Sequence, residues 1–278
     1  MNAAFQCGRF ELGLERPLVM GIVNVTPDSF SDGSHHFQTD QAIAHARLLV
    51  EQGADILDIG GESTRPGADP VPAVEELRRV LPVIEAMRNA GVPLSIDTFK
   101  PEVMRAVLDA GADMINDIYA FRQPGAIQAV AGSRCGLRIM HMQGEPKTMQ
   151  QAPVYSDLLR DVQHFLHDRI DQLKQAGVDS ARIVLDPGFG FGKTPEQNYQ
   201  LLQQFDRIDS LGLPWLIGVS RKSMIGHVVN RPASERLAGS IAGALAAVVR
   251  GARIIRVYDV AETVDALKVW RAVNEGAI

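Results

Sequence analysis

The feature that most constrains the fold is an alternation of short apolar runs with amphipathic stretches. The apolar runs predict eight strands, over residues 18–24, 54–60, 93–98, 114–119, 137–142, 182–187, 215–220 and 253–258. The segments between them have helical apolar spacing and often end in glycine, as over residues 40–52, 74–90, 100–110, 156–176 and 234–250. Alternating strands and helices favour parallel pairing through right-handed crossovers. The pattern therefore predicts an α/β fold.

Eight strand–helix units over about 250 residues have the usual size of a closed (β/α)₈ TIM barrel. An open, doubly wound sheet is the alternative. No linker, low-complexity tract or sequence repeat divides the 278 residues. We predict one domain, with a cap or hairpin over residues 1–17 and the barrel over residues 18–278.

Composition limits the possible partners. The formal net charge of −5 gives no general attraction to nucleic acid or to an anionic membrane. The longest apolar stretch, residues 241–249, is too short to span a bilayer, and the first sixteen residues lack the apolar core of a signal peptide. Cys7 and Cys135 are far apart and form no disulfide framework. We expect a cytoplasmic protein that binds small molecules.

Polar residues mark the carboxyl ends of the predicted strands, which converge on one site in a parallel barrel. These residues are Asn24, Asp58, Asp97, Asn116, His141, Asp186, Lys222 and Arg256. The middles of the strands, by contrast, are expected to be Val, Ile, Leu and Met. Carboxylates and an amide can hold a flat heterocycle rich in N–H donors, and the cations suit an anionic group. The substrate is expected to be both heteroaromatic and anionic.

Two polar segments punctuated by glycine and proline also indicate a site. Residues 24–33 read NVTPDSFSDG and residues 58–68 read DIGGESTRPGA, a combination that surface turns rarely need. Asn24 with Asp28 offers the hard oxygens that Mg²⁺ prefers, usually completed by waters and substrate phosphates. Residues 220–223, SRKS, lead into a short helix whose free N–H groups attract an anion, and Lys222 and Ser223 would complete that pocket.

Three familiar motifs are nearly matched but incomplete. Residues 187–194, PGFGFGKT, lack the first glycine of a phosphate-binding P-loop. Residues 218–222, GVSRK, lack the closing glycine of a nucleophile elbow, so Ser220 is expected to be a turn residue. His35 and His36 have no carboxylate at metal-ligand spacing. A P-loop, a serine hydrolase and a histidine zinc site are all disfavoured.

Six segments in order resemble the dihydropteroate synthase family: NVTPDSFSDG, DIGGESTRPGA, IDTFKPE from residue 96, INDI from residue 115, LDPGFGFGK from residue 185 and SRKS. The match extends from about residue 19 to the C-terminus. The resemblance implies a bacterial folate-pathway transferase, active as a homodimer with Mg²⁺. Such an enzyme joins a dihydropterin pyrophosphate to p-aminobenzoate and releases pyrophosphate, and sulfonamides compete with p-aminobenzoate.

The resemblance also implies roles for individual residues. Four would hold the pterin: Asp97, Asn116, Asp186 and Lys222. Asp58 is expected to contact the heterocycle as well, because it is one of the carboxylates at the strand ends. Asn24 would bind Mg²⁺ and pyrophosphate. Contacts to the phosphates or to the closed loops would come from Thr64, Arg65 and Arg256. Ser223 would receive the p-aminobenzoate carboxylate, and the ring would be walled by Phe30, Pro66 and Phe191.

The expected mechanism is dissociative substitution without a protein nucleophile. Cations stabilise the departing pyrophosphate, and Asp97 stabilises positive charge on the pterin methylene. The aniline nitrogen of p-aminobenzoate then attacks. We predict Asp97, Lys222 and Arg256 to be the catalytic residues.

One position departs from the family pattern, because Tyr258 stands where histidine is common. Tyrosine still donates a hydrogen bond but cannot become cationic, and we predict that it also contacts the substrate. Two other functions stay open at this stage. One is a methyltetrahydrofolate-binding methyltransferase barrel, which the intact STRPGA and SRKS segments disfavour. The other is a catalytically silent pterin-binding paralogue, which Tyr258 alone favours.

Overall fold

The computed structural model of the protein describes residues 4–26, 35–63, 69–145, 148–149 and 153–276. Its strands are β1 Ala4–Cys7, β2 Phe10–Gly13, β3 Leu18–Asn24, β4 Ile56–Gly60, β5 Leu94–Asp97, β6 Met114–Asp117, β7 Gly136–Met140, β8 Ile183–Asp186, β9 Trp215–Ile217 and β10 Ala252–Val257. Strands β3 to β10 pair in parallel, in the closed order β10-β3-β4-β5-β6-β7-β8-β9. The predicted (β/α)₈ barrel is confirmed, and the open sheet is wrong.

Helices follow the barrel strands along the chain. They are α1 His35–Glu51, α2 Ala73–Met87, α3 Pro101–Asp109, α4 Ala126–Ala131, α5 Leu158–Gln175, α6 Pro195–Gln204, α7 Ser223–Val229, α8 Leu237–Val249 and α9 Val260–Glu275. Local signals fix several starts: Pro101 opens α3, and Thr194 forms a capping box with Gln197 at α6. The PGFGFG segment lies between the end of β8 and this capping box and forms the turn that joins β8 to α6.

The half of the barrel interior nearer the amino ends of the strands, here called the lower half, is apolar. The upper half lies nearer their carboxyl ends. An apolar layer, defined here as Met20, Ile56, Met114, Val184, Leu216 and Ile254, is fully or almost fully buried. The antiparallel hairpin of β1 and β2 closes this end, and Phe5 packs into the same cluster. Gly136 makes the contact possible, because a Cβ there would lie 2.6 Å from the Phe5 ring.

An ion pair fastens the hairpin to the barrel. Arg9 Nε donates to Asp113 Oδ1 at 2.9 Å, and Arg9 Nη2 donates to Asp113 Oδ2 at 2.9 Å. Asp113 is buried just before β6, so the contact holds the hairpin at the lower end. The division of the chain at residue 17 stays a prediction.

Candidate active site

The upper half of the barrel interior is polar, in contrast to the layer below it. We call seven side chains in the upper half of the barrel interior the polar cluster: Asp58, Ser95, Asp97, Asn116, Arg138, Asp186 and Arg256. Strand side chains alternate between faces, so residues two apart point the same way. Ile56 and Asp58 are related in this way on β4, as are Ile254 and Arg256 on β10. Each of these strands therefore changes from apolar packing to polar contacts at the next inward position.

Asp58 lies at the centre of the polar cluster and is fully buried. Its Oδ1 accepts a hydrogen bond from Ser95 Oγ at 2.7 Å. Its Oδ2 accepts from Asn116 Nδ2 at 2.9 Å and from Arg256 Nε at 2.6 Å. Both carboxylate oxygens are thus engaged by protein donors, so the geometry favours a positioning role for Asp58.

Asp97 at the end of β5 differs from Asp58, because one of its oxygens is free of protein donors. Its Oδ2 accepts from Arg256 Nη2 at 3.1 Å, whereas Oδ1 is buried without a hydrogen-bond partner. Burial and the Asp58 carboxylate raise the pKa of Asp97 to about 7, although Arg256 and Arg138 act in the opposite direction. A buried acceptor without a donor is costly unless a ligand supplies one. Asp97 is therefore ready to accept an N–H from a bound molecule.

Asn116 and Asp186 are joined by Arg138, a residue that the sequence analysis missed. Arg138 Nε donates to Asp186 Oδ2 at 3.0 Å, and Arg138 Nη1 donates to Asn116 Oδ1. Asp186 Oδ1 also accepts from the Gly188 backbone N–H at 2.6 Å. The expectation that strand middles are apolar is wrong at Arg138 and Ser95. The signal available in the sequence was an arginine inside the run GLRIM.

Lys222 reaches the same region from the start of α7. Its Nζ donates to the Phe189 carbonyl and lies 5.0 Å from the centroid of the Phe191 ring. Burial lowers the pKa of Lys222 to about 7, with Arg138 and Arg256 contributing in the same direction. Ser223 is the first residue of α7 and is exposed. Lys222, Ser223 and Phe191 thus lie on one side of the barrel mouth.

Asn24 and Tyr258 lie at the ends of neighbouring strands, β3 and β10. Asn24 Nδ2 donates to the Tyr258 hydroxyl at 3.5 Å. The Arg221 guanidinium lies 5.5 Å from the Tyr258 ring centroid, and Arg221 also pairs with Asp259. The rim above the polar cluster therefore holds an amide, a phenol and a further cation.

His141 does not join the polar cluster, although its place after β7 predicted that it would. Its ring packs edge-on against Phe165 of α5, with 5.0 Å between centroids. Its Nδ1 lies 2.9 Å from Lys193 Nζ, and Lys193 also donates to the Gly188 and Phe191 carbonyls. Lys193, the lysine of the incomplete P-loop motif, thus stabilises the turn between β8 and α6 through buried hydrogen bonds.

Five residues predicted to contribute to the site lie outside the described residues: Asp28, Phe30, Thr64, Arg65 and Pro66. Within the described part of the chain, no group of three or more His, Cys, Asp or Glu side chains is arranged to hold a metal ion. None of the helices described there is long and apolar enough to cross a membrane.

Comparison with known proteins assigns the class. A family model described as pterin binding enzyme matches residues 20–258. The closed barrel, its buried carboxylates and this match define a pterin-binding enzyme of the (β/α)₈ type.

Individual relatives narrow the class further. Dihydropteroate synthase of Escherichia coli K12 is 50% identical over 262 residues, which cover 94% of this chain and 93% of that protein. The crystal structure of Burkholderia cenocepacia dihydropteroate synthase complexed with 7,8-dihydropteroate is 55% identical, with a TM-score of 0.91 over 99% of this chain and 98% of that one. The Xanthomonas albilineans enzyme with 4-aminobenzoic acid is 54% identical, with a TM-score of 0.92 over 98% of each chain. The chain belongs to the dihydropteroate synthase family.

Proposed function

We propose that the protein condenses 6-hydroxymethyl-7,8-dihydropterin pyrophosphate with p-aminobenzoate to form 7,8-dihydropteroate and pyrophosphate. The observation that carries the proposal is Asp97 Oδ1, a buried acceptor without a protein donor, placed beside Arg256. A pterin ring presents N–H donors that suit such an acceptor. The B. cenocepacia and X. albilineans relatives, solved with 7,8-dihydropteroate and with 4-aminobenzoic acid, support both substrates.

The pterin would lie against the polar cluster. Asp97 and Asp186 accept from its N–H groups, Asn116 contacts the ring edge, and Lys222 donates to a ring acceptor. The Phe191 ring below Lys222 offers an apolar wall. Asp58 acts on the ligand through Arg256 and Asn116, since its own oxygens are engaged.

In the reaction, the C–O bond between the pterin methylene and pyrophosphate breaks first, and the electron pair leaves with pyrophosphate. Asp97 stabilises the positive charge on the methylene, and Arg256 and Lys222 stabilise the leaving group. The aniline nitrogen of p-aminobenzoate forms the new C–N bond and then loses a proton to solvent. No protein nucleophile is required, and the protein contributes orientation and electrostatics.

Mg²⁺ fits the chemistry of the rim, where it would neutralise charge on the pyrophosphate oxygens. Among the residues that the structure describes, Asn24 would bind the Mg²⁺ ion. Asn24 Nδ2 is directed to the Tyr258 hydroxyl, and its Oδ1 can serve as a neutral oxygen ligand. One protein oxygen suits Mg²⁺, which keeps several waters and binds substrate phosphates.

The remaining contacts follow the family resemblance. Tyr258 and Arg256 would hold pyrophosphate from β10, and Ser223 would receive the p-aminobenzoate carboxylate at the start of α7. Contacts from the two segments after β3 and β4 would come from Phe30, Thr64, Arg65 and Pro66.

A homodimer located in the cytoplasm completes the proposal. Helix α8 supports the dimer, because it is almost entirely Leu, Ala, Gly, Ile and Val and leaves Leu237 and Val249 exposed. Val229 of the neighbouring α7 is exposed as well. Apolar side chains on a helix that remain exposed in one chain can be buried by a second copy. Sedimentation of the purified protein measures this directly.

The function is tested by measuring pyrophosphate and dihydropteroate formation with dihydropterin pyrophosphate and Mg²⁺, with and without p-aminobenzoate. Release that requires p-aminobenzoate, and that a sulfonamide inhibits competitively, is expected. Tight pterin binding without product would instead identify a silent binding protein. If the protein neither binds the pterin nor forms product, the proposal is wrong altogether.

A further inference from the structure

Arg138 is an unusual residue for its place in the fold. It lies in the middle of β7, whose five residues are all buried, and only 4% of its surface is exposed. Removing a guanidinium from water is costly unless charged and polar partners replace its hydration. A buried arginine in a barrel strand therefore needs acceptors on the neighbouring strands.

The partners of Arg138 come from the strands on either side of β7. Asn116 of β6 lies directly beside Arg138 in the strand register, and Asp186 of β8 lies beside Met140. Arg138 donates to Asn116 Oδ1 and twice to Asp186 Oδ2, and its Nη2 also lies 3.1 Å from Met140 Sδ. One planar fork thus links three adjacent strands at the level of the polar cluster.

These contacts fix the atoms that Asn116 and Asp186 can present to a ligand. Asn116 is held at both ends of its amide, since Nδ2 donates to Asp58 and Oδ1 accepts from Arg138. Asp186 is held likewise, because Gly188 occupies Oδ1 and Arg138 occupies one side of Oδ2. Without Arg138 the amide of Asn116 would be held at one end only, by Asp58, and Asp186 would lose a buried counter-charge.

The geometry points to Arg138 as a positioning residue for pterin recognition, which acts by holding Asn116 and Asp186 in the arrangement that binds the heterocycle. This inference rests on the proposed function, because it takes the pterin as the ligand of the polar cluster. The charge of Arg138 has a second effect. It acts among Asp58, Asp97, Asp186, Lys222 and Arg256, and it contributes to lowering the pKa of both Asp97 and Lys222.

The test compares Arg138→Lys, which keeps a charge but not the fork, with Arg138→Met, which loses both. The affinity for dihydropterin pyrophosphate with Mg²⁺ is measured by calorimetry, and KM is measured for each substrate. We expect both variants to weaken pterin binding about tenfold or more, since hydrogen bonds to charged groups are lost. The KM for p-aminobenzoate is expected to stay within about threefold, because the hydrogen bonds of Arg138 go to Asn116 and Asp186 and not to Ser223.

Arg182→Lys is the matched control. Arg182 is another buried arginine, 6% exposed, but it donates to the backbone carbonyls of Val130 and Cys135, before β7. Its substitution is expected to lower the melting temperature without changing pterin affinity. If Arg138 variants behave like Arg182→Lys, with only the melting temperature changed, the inference is wrong.

Two further measurements separate positioning from a general structural role. In an Asn116→Ala background, the effect of Arg138→Met on pterin affinity is expected to shrink, since part of its action passes through Asn116. An unchanged effect would contradict that route. The pH dependence of pterin binding is expected to move to higher pH in Arg138→Met, because losing the positive charge raises the pKa of Asp97 and Lys222. No movement would count against the inference.

The calorimetric arm also keeps this inference separate from the proposed function. If the wild-type protein binds the pterin but makes no dihydropteroate, the proposed function fails and the Arg138 inference is still tested by affinity. If Arg138→Met does not fold, Arg138→Lys supplies the same comparison. Equal losses for both substrates in a folded variant would overturn the inference.

Discussion

The lower and upper halves of the barrel interior lie on the same strands but have opposite chemistry. Ile56 and Ile254 belong to the apolar layer, and Asp58 and Arg256, each two residues further along, belong to the polar cluster. The lower half is closed by the hairpin and contains closely packed apolar side chains. The upper half leaves Asp97 Oδ1 buried without a partner. Two residues along a strand are thus enough to change the barrel interior from apolar packing to hydrogen-bonded polar groups.

The largest expected effect is on turnover and comes from the polar cluster. Asp97→Asn should reduce kcat by about 100- to 1,000-fold, the range seen when one preorganised electrostatic contact is removed. The neutral amide keeps the shape of the carboxylate but cannot stabilise a developing cation. Steady-state product formation measures this. Turnover within tenfold of the wild type would remove Asp97 from the mechanism.

The next effect concerns the apolar layer. Ile254→Ala should lower the free energy of unfolding by about 2 to 5 kcal/mol, because it deletes buried methyl groups from a closely packed site. Both KM values should stay unchanged in the folded fraction. Urea denaturation measures the loss, and Val269→Ala, exposed on α9, is the control, with a change within about 0.5 kcal/mol. A large change in pterin KM for Ile254→Ala would show that the two halves are coupled.

A smaller effect links the polar cluster to stability. The pKa of Asp97 is about 7 in the folded protein, and an unfolded aspartate has a pKa of about 3.9. The folded state therefore binds this proton more tightly, and the contribution of Asp97 to stability falls as the pH rises from about 4 to about 7.

Asp97→Asn removes this dependence, so the variant should become more stable relative to the wild type over the same pH interval. Thermal unfolding of both proteins at several pH values measures the difference. If the stability of the variant minus that of the wild type stays constant or falls with rising pH, Asp97 is ionised without cost in the folded protein.

The smallest effect is expected at the rim, outside both halves. Tyr258→His should leave turnover within about tenfold, because the phenol already supplies a hydrogen-bonding group beside Asn24. Comparison of kcat and KM for the two proteins measures this. Recovery of activity from near zero on introducing histidine would show that the natural chain is impaired at the pyrophosphate site.

The sequence predicted the eight strands because each barrel strand is an apolar run bounded by polar residues. It also located Asp97, Asn116 and Asp186, since these interrupt the apolar pattern at the strand ends. Arg138 was missed, because its acceptors lie on two other strands and their alignment depends on register. His141 was misplaced for a related reason: one position past a strand end, the sequence does not fix the direction of the side chain.

A crystal structure of the protein with dihydropterin pyrophosphate and Mg²⁺ tests the central claim most directly. The claim is that the polar cluster binds the pterin and the apolar layer does not take part. We expect a pterin N–H within about 3.2 Å of Asp97 Oδ1, and the ring bounded by Asn116, Asp186 and Lys222. A pterin bound elsewhere, with Asp97 Oδ1 still lacking a donor, would contradict the account.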